Sequence, residues 1–166
     1  MITLVLGGAR SGKSEVGEQL ASALGPEVTY VATAVVDPSD DDWVQRVEKH
    51  RARRPWAWRT VEAGFDLPTV LAGLTGPVLV DSLGTWVAAC AGIAAAADAD
   101  VLCQALTRRD GDTVVVSEEV GLGVHPSSEA GRRFRDVLGT VNRAVAYVAD
   151  DVFLVIAGRI LPLGRP

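Results

Sequence analysis

Two cysteines, two histidines and one methionine are all that 166 residues contain of the softer metal-binding side chains. Cys90 and Cys103 lack C-x-x-C spacing, and His50 and His125 are too few to complete a zinc set with them, so a structural zinc site and a disulfide scaffold are both excluded. The two thiols read as small, semi-buried side chains. Positive charge is also scarce: 16 Lys and Arg stand against 21 Asp and Glu, a net charge of −5. Without an excess of positive field, binding of nucleic acid is not expected. No apolar run is long enough for a membrane span, since the alanine-rich stretch from Trp86 to Ala97 falls well short of the ~20 residues one needs. Met1 leads straight into Ile2-Thr3-Leu4-Val5-Leu6 with no basic segment or cleavage site, so no secretory signal is expected and the cytoplasm is the expected location.

What is present suits one compact domain spanning residues 1–166. With 48% hydrophobic and 22% charged residues, the chain can bury a sizeable core without metals or disulfides. No internal repeat or linker divides it. Short apolar runs at Ile2–Leu6, Val28–Ala32, Val78–Val80, Val114–Ser117 and Val152–Ala157 read as strands, continuous rather than alternating, as in a parallel sheet covered on both faces. Helical segments fall between them. Val16, Leu20, Ala23 and Leu24 share one helical face before Gly25-Pro26, and Phe134, Leu138, Val141, Val145 and Val148 form a longer apolar stripe. Ser39 ahead of Asp40-Asp41-Asp42 reads as a further helix start, with His50 near that helix's end.

The strongest chemical signal follows the first strand. Gly7-Gly8-Ala9-Arg10-Ser11-Gly12-Lys13-Ser14 satisfies G-x-x-x-x-G-K-[ST] and opens directly into a helical pattern. Glycines let the backbone curl so that successive N–H groups converge on phosphate oxygens, while the helix aims its positive end at the same point. Lys13 is placed to neutralise the β- and γ-phosphates, and the Ser14 hydroxyl to bind Mg²⁺. Asp81, closing the apolar run Val78-Leu79-Val80, is the candidate Walker-B carboxylate and second Mg²⁺ contact. A nucleoside triphosphate site is implied.

A second unusual stretch runs from Arg46 to Pro55, with His50 among Arg51, Arg53 and Arg54. Its plain reading is a solvated basic helix end. Its functional reading is a nucleophile: neighbouring guanidinium groups disfavour the imidazolium, leave a ring nitrogen unprotonated and hold a triphosphate beside it. Of the tryptophans, Trp56 and Trp58 read as packing around this segment and Trp86 as lining a substrate surface. His125 reads as a loop residue, and Phe134-Arg135-Asp136 as a packing anchor with a local ion pair.

Five stretches in order resemble one family, the bifunctional adenosylcobinamide kinase/adenosylcobinamide-phosphate guanylyltransferases of cobalamin biosynthesis. They are the glycine loop of Gly7 to Ser14; Tyr30-Val31-Ala32-Thr33; Arg46 to Pro55 with Trp58-Arg59-Thr60-Val61-Glu62; Val116 to Pro126; and Gly131 to Asn142. The resemblance implies an α/β domain of the P-loop NTPase (RecA-like) type, three-layered around a central, mostly parallel sheet. It implies phosphorylation of adenosylcobinamide by ATP or GTP, then passage of GMP from GTP through a covalent adduct on His50 to adenosylcobinamide phosphate. By the same similarity Thr33, Glu62, Arg51, Arg53 and Arg54 surround the guanine nucleotide, and the assembly is a homotrimer. Glu119 reads equally as a kinase-step residue or an ordinary loop carboxylate beside Glu118. Two other readings of the residues stay open: a small-molecule P-loop kinase in which His50 only binds phosphate, and a non-catalytic nucleotide-binding regulatory module.

Overall fold

The computed structural model describes residues 1–34, 54–90 and 97–165. The helix expected after Ser39, together with His50, Arg51 and Arg53, lies outside the described residues. Along the chain run β1 (Ile2–Gly7), α1 (Lys13–Ala23), β2 (Thr29–Ala32), β3 (Arg59–Glu62), α2 (Leu67–Ala72), β4 (Val78–Asp81), α3 (Leu83–Cys90), α4 (Ala99–Arg108), β5 (Thr113–Glu118), α5 (Glu129–Val148), β6 (Asp151–Ile156) and β7 (Arg159–Pro162). The strands form one sheet in the order β3-β2-β4-β5-β1-β6-β7. Every pairing is parallel except β6 with β7.

Why the central runs are apolar throughout is visible in the two cores. Leu4, Leu6, Val31, Val78, Val80 and Val115 pack on one face under α2 to α5, against Leu67, Leu83, Trp86, Leu102 and Leu138. Val5, Tyr30, Leu79, Val114 and Val116 face the other way, against Val16 and Ala21 of α1 and Trp58. Alternate residues of one strand therefore feed opposite cores, and the architecture is the expected three-layer α/β fold with a mostly parallel sheet. Gly17 is required where α1 crosses β5, because a Cβ there would run into the Val116 side chain. On α1, Ala23 points to solvent instead of joining the apolar face.

Trp86 departs from expectation. Trp86 is 1% exposed and donates its indole N–H to the Phe65 carbonyl at 2.9 Å, so it anchors the core and lines no surface. Trp56 is 98% exposed and Trp58 is buried in the α1-side core, while most of the histidine segment they were expected to pack around lies outside the described residues. Cys90 is buried and Cys103 half-buried, both free thiols, and burial raises the pKa of each. No helix among the described residues is long and apolar enough to cross a membrane.

Candidate phosphate site

In a parallel sheet the C-terminal strand ends lie on one edge, where ligands of α/β folds bind. Gly7 of β1 pairs with Glu118 of β5, and Asp81 of β4 pairs with Val116 of β5 and Ala32 of β2. That register brings the glycine loop, Asp81 and Glu118 together. The loop itself needs glycine at position 12, where φ is +93° immediately before α1 begins. Arg10 also takes a positive φ, 56°, and is exposed with Ala9 at the tip. Ser11 is buried, and its carbonyl accepts the Gly158 N–H at 2.8 Å, so the β6–β7 turn braces the loop from behind.

The Lys13 ammonium lies 3.4 Å from the Gly8 carbonyl and 3.5 Å from Glu118 Oε1, curled back over the loop. Glu118 is held from three sides. Besides Lys13, Ser82 Oγ donates to it at 2.9 Å and the Gly84 N–H donates to Oε2 at 2.9 Å. Gly84 has no room for a Cβ, which would meet the Glu118 carboxylate. Ser14 Oγ lies 3.4 Å from Asp81 Oδ1, and the Tyr30 hydroxyl donates to Asp81 Oδ2 at 2.9 Å. The Arg54 guanidinium stacks 3.2 Å above the centre of the Tyr30 ring, a cation–π contact at a desolvated position. The Ser14 hydroxyl and Asp81 carboxylate are hard oxygen donors, which fits a divalent cation that keeps water and phosphate oxygens in its shell. Among the described residues no three His, Cys, Asp or Glu side chains gather as a metal site.

Other predicted site residues fall around this centre. Thr33 is fully buried, and its hydroxyl donates to the Ser82 carbonyl at 2.6 Å and accepts from the Ser82 N–H at 3.0 Å, fixing the turn after Asp81. Glu62 is exposed at the end of β3, the edge strand beside β2. The Glu119 carboxylate accepts the nearby Gly121 N–H at 2.7 Å, and its backbone N–H donates to the Gly7 carbonyl at the end of β1. His125 Nδ1 lies 2.8 Å from Arg135, which also pairs with Asp136 at 2.8 Å, the expected local ion pair.

Sequence reasoning missed the supporting side chains Tyr30, Ser82 and Asn142. Buried Asn142 on α5 lies 2.5 Å from Ser117 Oγ and donates to the Glu118 carbonyl at 2.9 Å, tying the end of β5 to the helix. A polar residue inside the apolar stripe of α5 was the available signal, because such a group must find partners. Asn142→Ala is expected to destabilise the fold by about 2 kcal/mol, the cost of orphaning buried polar partners. The urea unfolding midpoint checks this, and an unchanged midpoint would remove Asn142 from the support of β5.

A glycine loop, a lysine over it and a strand-end aspartate describe many nucleotide enzymes, and comparison with known proteins decides between them. Residues 3–163 match the family described as "Cobinamide kinase / cobinamide phosphate guanyltransferase". The chain belongs to this family. Its relatives include the bifunctional adenosylcobalamin biosynthesis protein CobP of Pseudomonas aeruginosa, 38% identical over 100% of this chain and 99% of that one. The CobU proteins of Salmonella typhimurium and Escherichia coli are 34% and 35% identical, each over 95% of this chain and 97% of its own length. Among solved structures, the P4 protein from bacteriophage phi6 in complex with ADP aligns with a TM-score of 0.44 at 19% identity, over 96% of this chain and 52% of that one, a likeness that bears on neither fold nor function. The glycine loop and the later stretches through Asn142 all lie inside the region matched to the cobinamide kinase/guanyltransferase family.

Proposed function

We propose that the whole chain acts as one domain in the cytoplasm, phosphorylating adenosylcobinamide with ATP or GTP and then converting the phosphate to adenosylcobinamide-GDP. The observation that carries this reading is the meeting of Lys13, Ser14 and Asp81 at the sheet edge of a chain that belongs to the cobinamide kinase/guanyltransferase family.

In the first step the acceptor hydroxyl attacks the γ-phosphorus, the bond to the β-phosphate oxygen breaks, and a nucleoside diphosphate leaves. Such transfer depends mainly on positioning and on neutralising charge. Gly7, Gly8, Ala9, Arg10, Ser11 and Gly12 offer the loop that wraps the phosphates, and Lys13 leaves Gly8 and Glu118 to grip their oxygens. Ser14 and Asp81 are the residues that would hold Mg²⁺, which when bound supplies further neutralisation of the phosphates.

In the second step an unprotonated nitrogen of His50 attacks the α-phosphorus of GTP and pyrophosphate leaves. The acceptor's phosphate oxygen then attacks the same phosphorus, releasing the histidine and forming the diphosphate linkage. Arg51, Arg53, Arg54 and Glu62 serve the guanine nucleotide, while Thr33 serves it indirectly by fixing the turn after Asp81. The protein assembles as a homotrimer. Support for self-association comes from the outer strand β7, exposed along its length, with Ile160, Leu161 and nearby Ile156 and Tyr147 bare to solvent.

Incubation with adenosylcobinamide and γ-labelled ATP or GTP tests the reading. Label is expected in the corrinoid product with at least one nucleotide. An acceptor that stays unlabelled with both would contradict the kinase assignment.

A further inference from the structure

We propose that Tyr30 is a positioning residue of the phosphate site: its hydroxyl pins one oxygen of Asp81 and thereby turns the other toward Ser14. This rests on the reading of Ser14 and Asp81 as cation ligands.

A carboxylate on a short side chain rotates unless something stops it, and the Tyr30 and Ser14 contacts to Asp81 differ in strength. The Tyr30 bond is 2.9 Å, within the normal range, whereas the Ser14 contact is 3.4 Å, at its limit. Of these two, the Tyr30 bond is the stronger restraint on the carboxylate. Tyr30 itself cannot drift, because it is 3% exposed, belongs to the α1-side core and carries the Arg54 guanidinium 3.2 Å above its ring. Strand register delivers the contact. Tyr30 pairs with Leu79 and Ala32 with Asp81, so Tyr30 and Asp81 are diagonal neighbours on one face of the sheet, within reach of a long aromatic side chain.

Partners that orient a ligating group typically change metal affinity by about 10–100-fold. A cation that shares its shell with phosphate oxygens and water feels the lower end of that range. The test uses the full chain with GDP and Mn²⁺, reading free Mn²⁺ by electron paramagnetic resonance. Tyr30→Phe keeps the buried ring and its stack with Arg54, and is expected to weaken Mn²⁺ binding about 10-fold, with GDP affinity in the absence of metal unchanged. Asp81→Asn weakens it at least as much, and the double variant is no worse than Asp81→Asn alone, because Tyr30 acts only through that carboxylate. Wild-type Mn²⁺ affinity in Tyr30→Phe beside a weakened Asp81→Asn would overturn the positioning role and leave the cation reading standing. Wild-type affinity in both variants would overturn the two together. A lowered melting temperature of Tyr30→Phe with unaltered Mn²⁺ affinity would make the hydroxyl merely structural, which also overturns the proposal.

Discussion

Lys13→Ala is expected to slow phosphorylation of adenosylcobinamide on the order of 10³-fold, the scale on which a cation at the transferring phosphoryl group matters. The ammonium lies against the Gly8 carbonyl and Glu118, inside the loop that the terminal phosphates would enter, and its side chain is only 11% exposed. Charge that builds on the equatorial oxygens during transfer meets it in a partly desolvated setting, where a unit charge counts for far more than in water. The fold should survive the change. Glu118 retains the Ser82 hydroxyl and the Gly84 N–H as donors, and the loop keeps its brace from Gly158. Steady-state transfer of γ-label to the corrinoid, with thermal unfolding as a control, reads the effect. A loss smaller than about tenfold, in a range where single well-placed donors already give 10²–10³, would remove Lys13 from the transfer machinery.

How much of this was legible in the sequence depends on whether the signal is local. The glycine loop is fully local, since eight consecutive residues specify a strand, a turn and a helix start, and the structure has Gly12 at positive φ ahead of α1. Asp81 needed one inference more, an acidic residue closing an apolar strand, and it does face Ser14. Buried strands announced themselves by continuous apolar runs. The two edge strands did not. β3 is largely exposed and reads Arg59-Thr60-Val61-Glu62, and β7 is exposed throughout, so neither carries the apolar run that burial imposes on β1, β4 and β5.

Contacts set by long-range register were invisible for a different reason. Nothing near Tyr30 in the chain says that Asp81 will lie diagonally across from it; that follows only once β2 and β4 are paired with Ala32 opposite Asp81. Glu118 is a similar case. It adjoins Glu119 in the chain, but β5 ends between them: Glu118 turns to Lys13, Ser82 and Gly84, while Glu119 closes a local turn on Gly121. Trp86 shows the opposite failure, since an aromatic in an alanine-rich segment suggested a surface and proved to be an anchor bonded to the Phe65 carbonyl.

His50 is expected to carry GMP covalently during the second transfer. A phosphoramidate is labile in acid and stable in alkali, so it can be told from a phosphate ester on serine or a carboxylate adduct. Lys49, beside His50, is the other amine of the segment and its phosphoramidate has the same acid and alkali behaviour, so label lost in His50→Ala with Lys49 retained assigns the adduct to the imidazole. The decisive measurement incubates the wild-type protein and His50→Ala with GTP labelled at the α-phosphate and follows label retained on the denatured chain. Acid-labile, alkali-stable label on the wild type and none on His50→Ala is the predicted result; equal label on both would contradict the account.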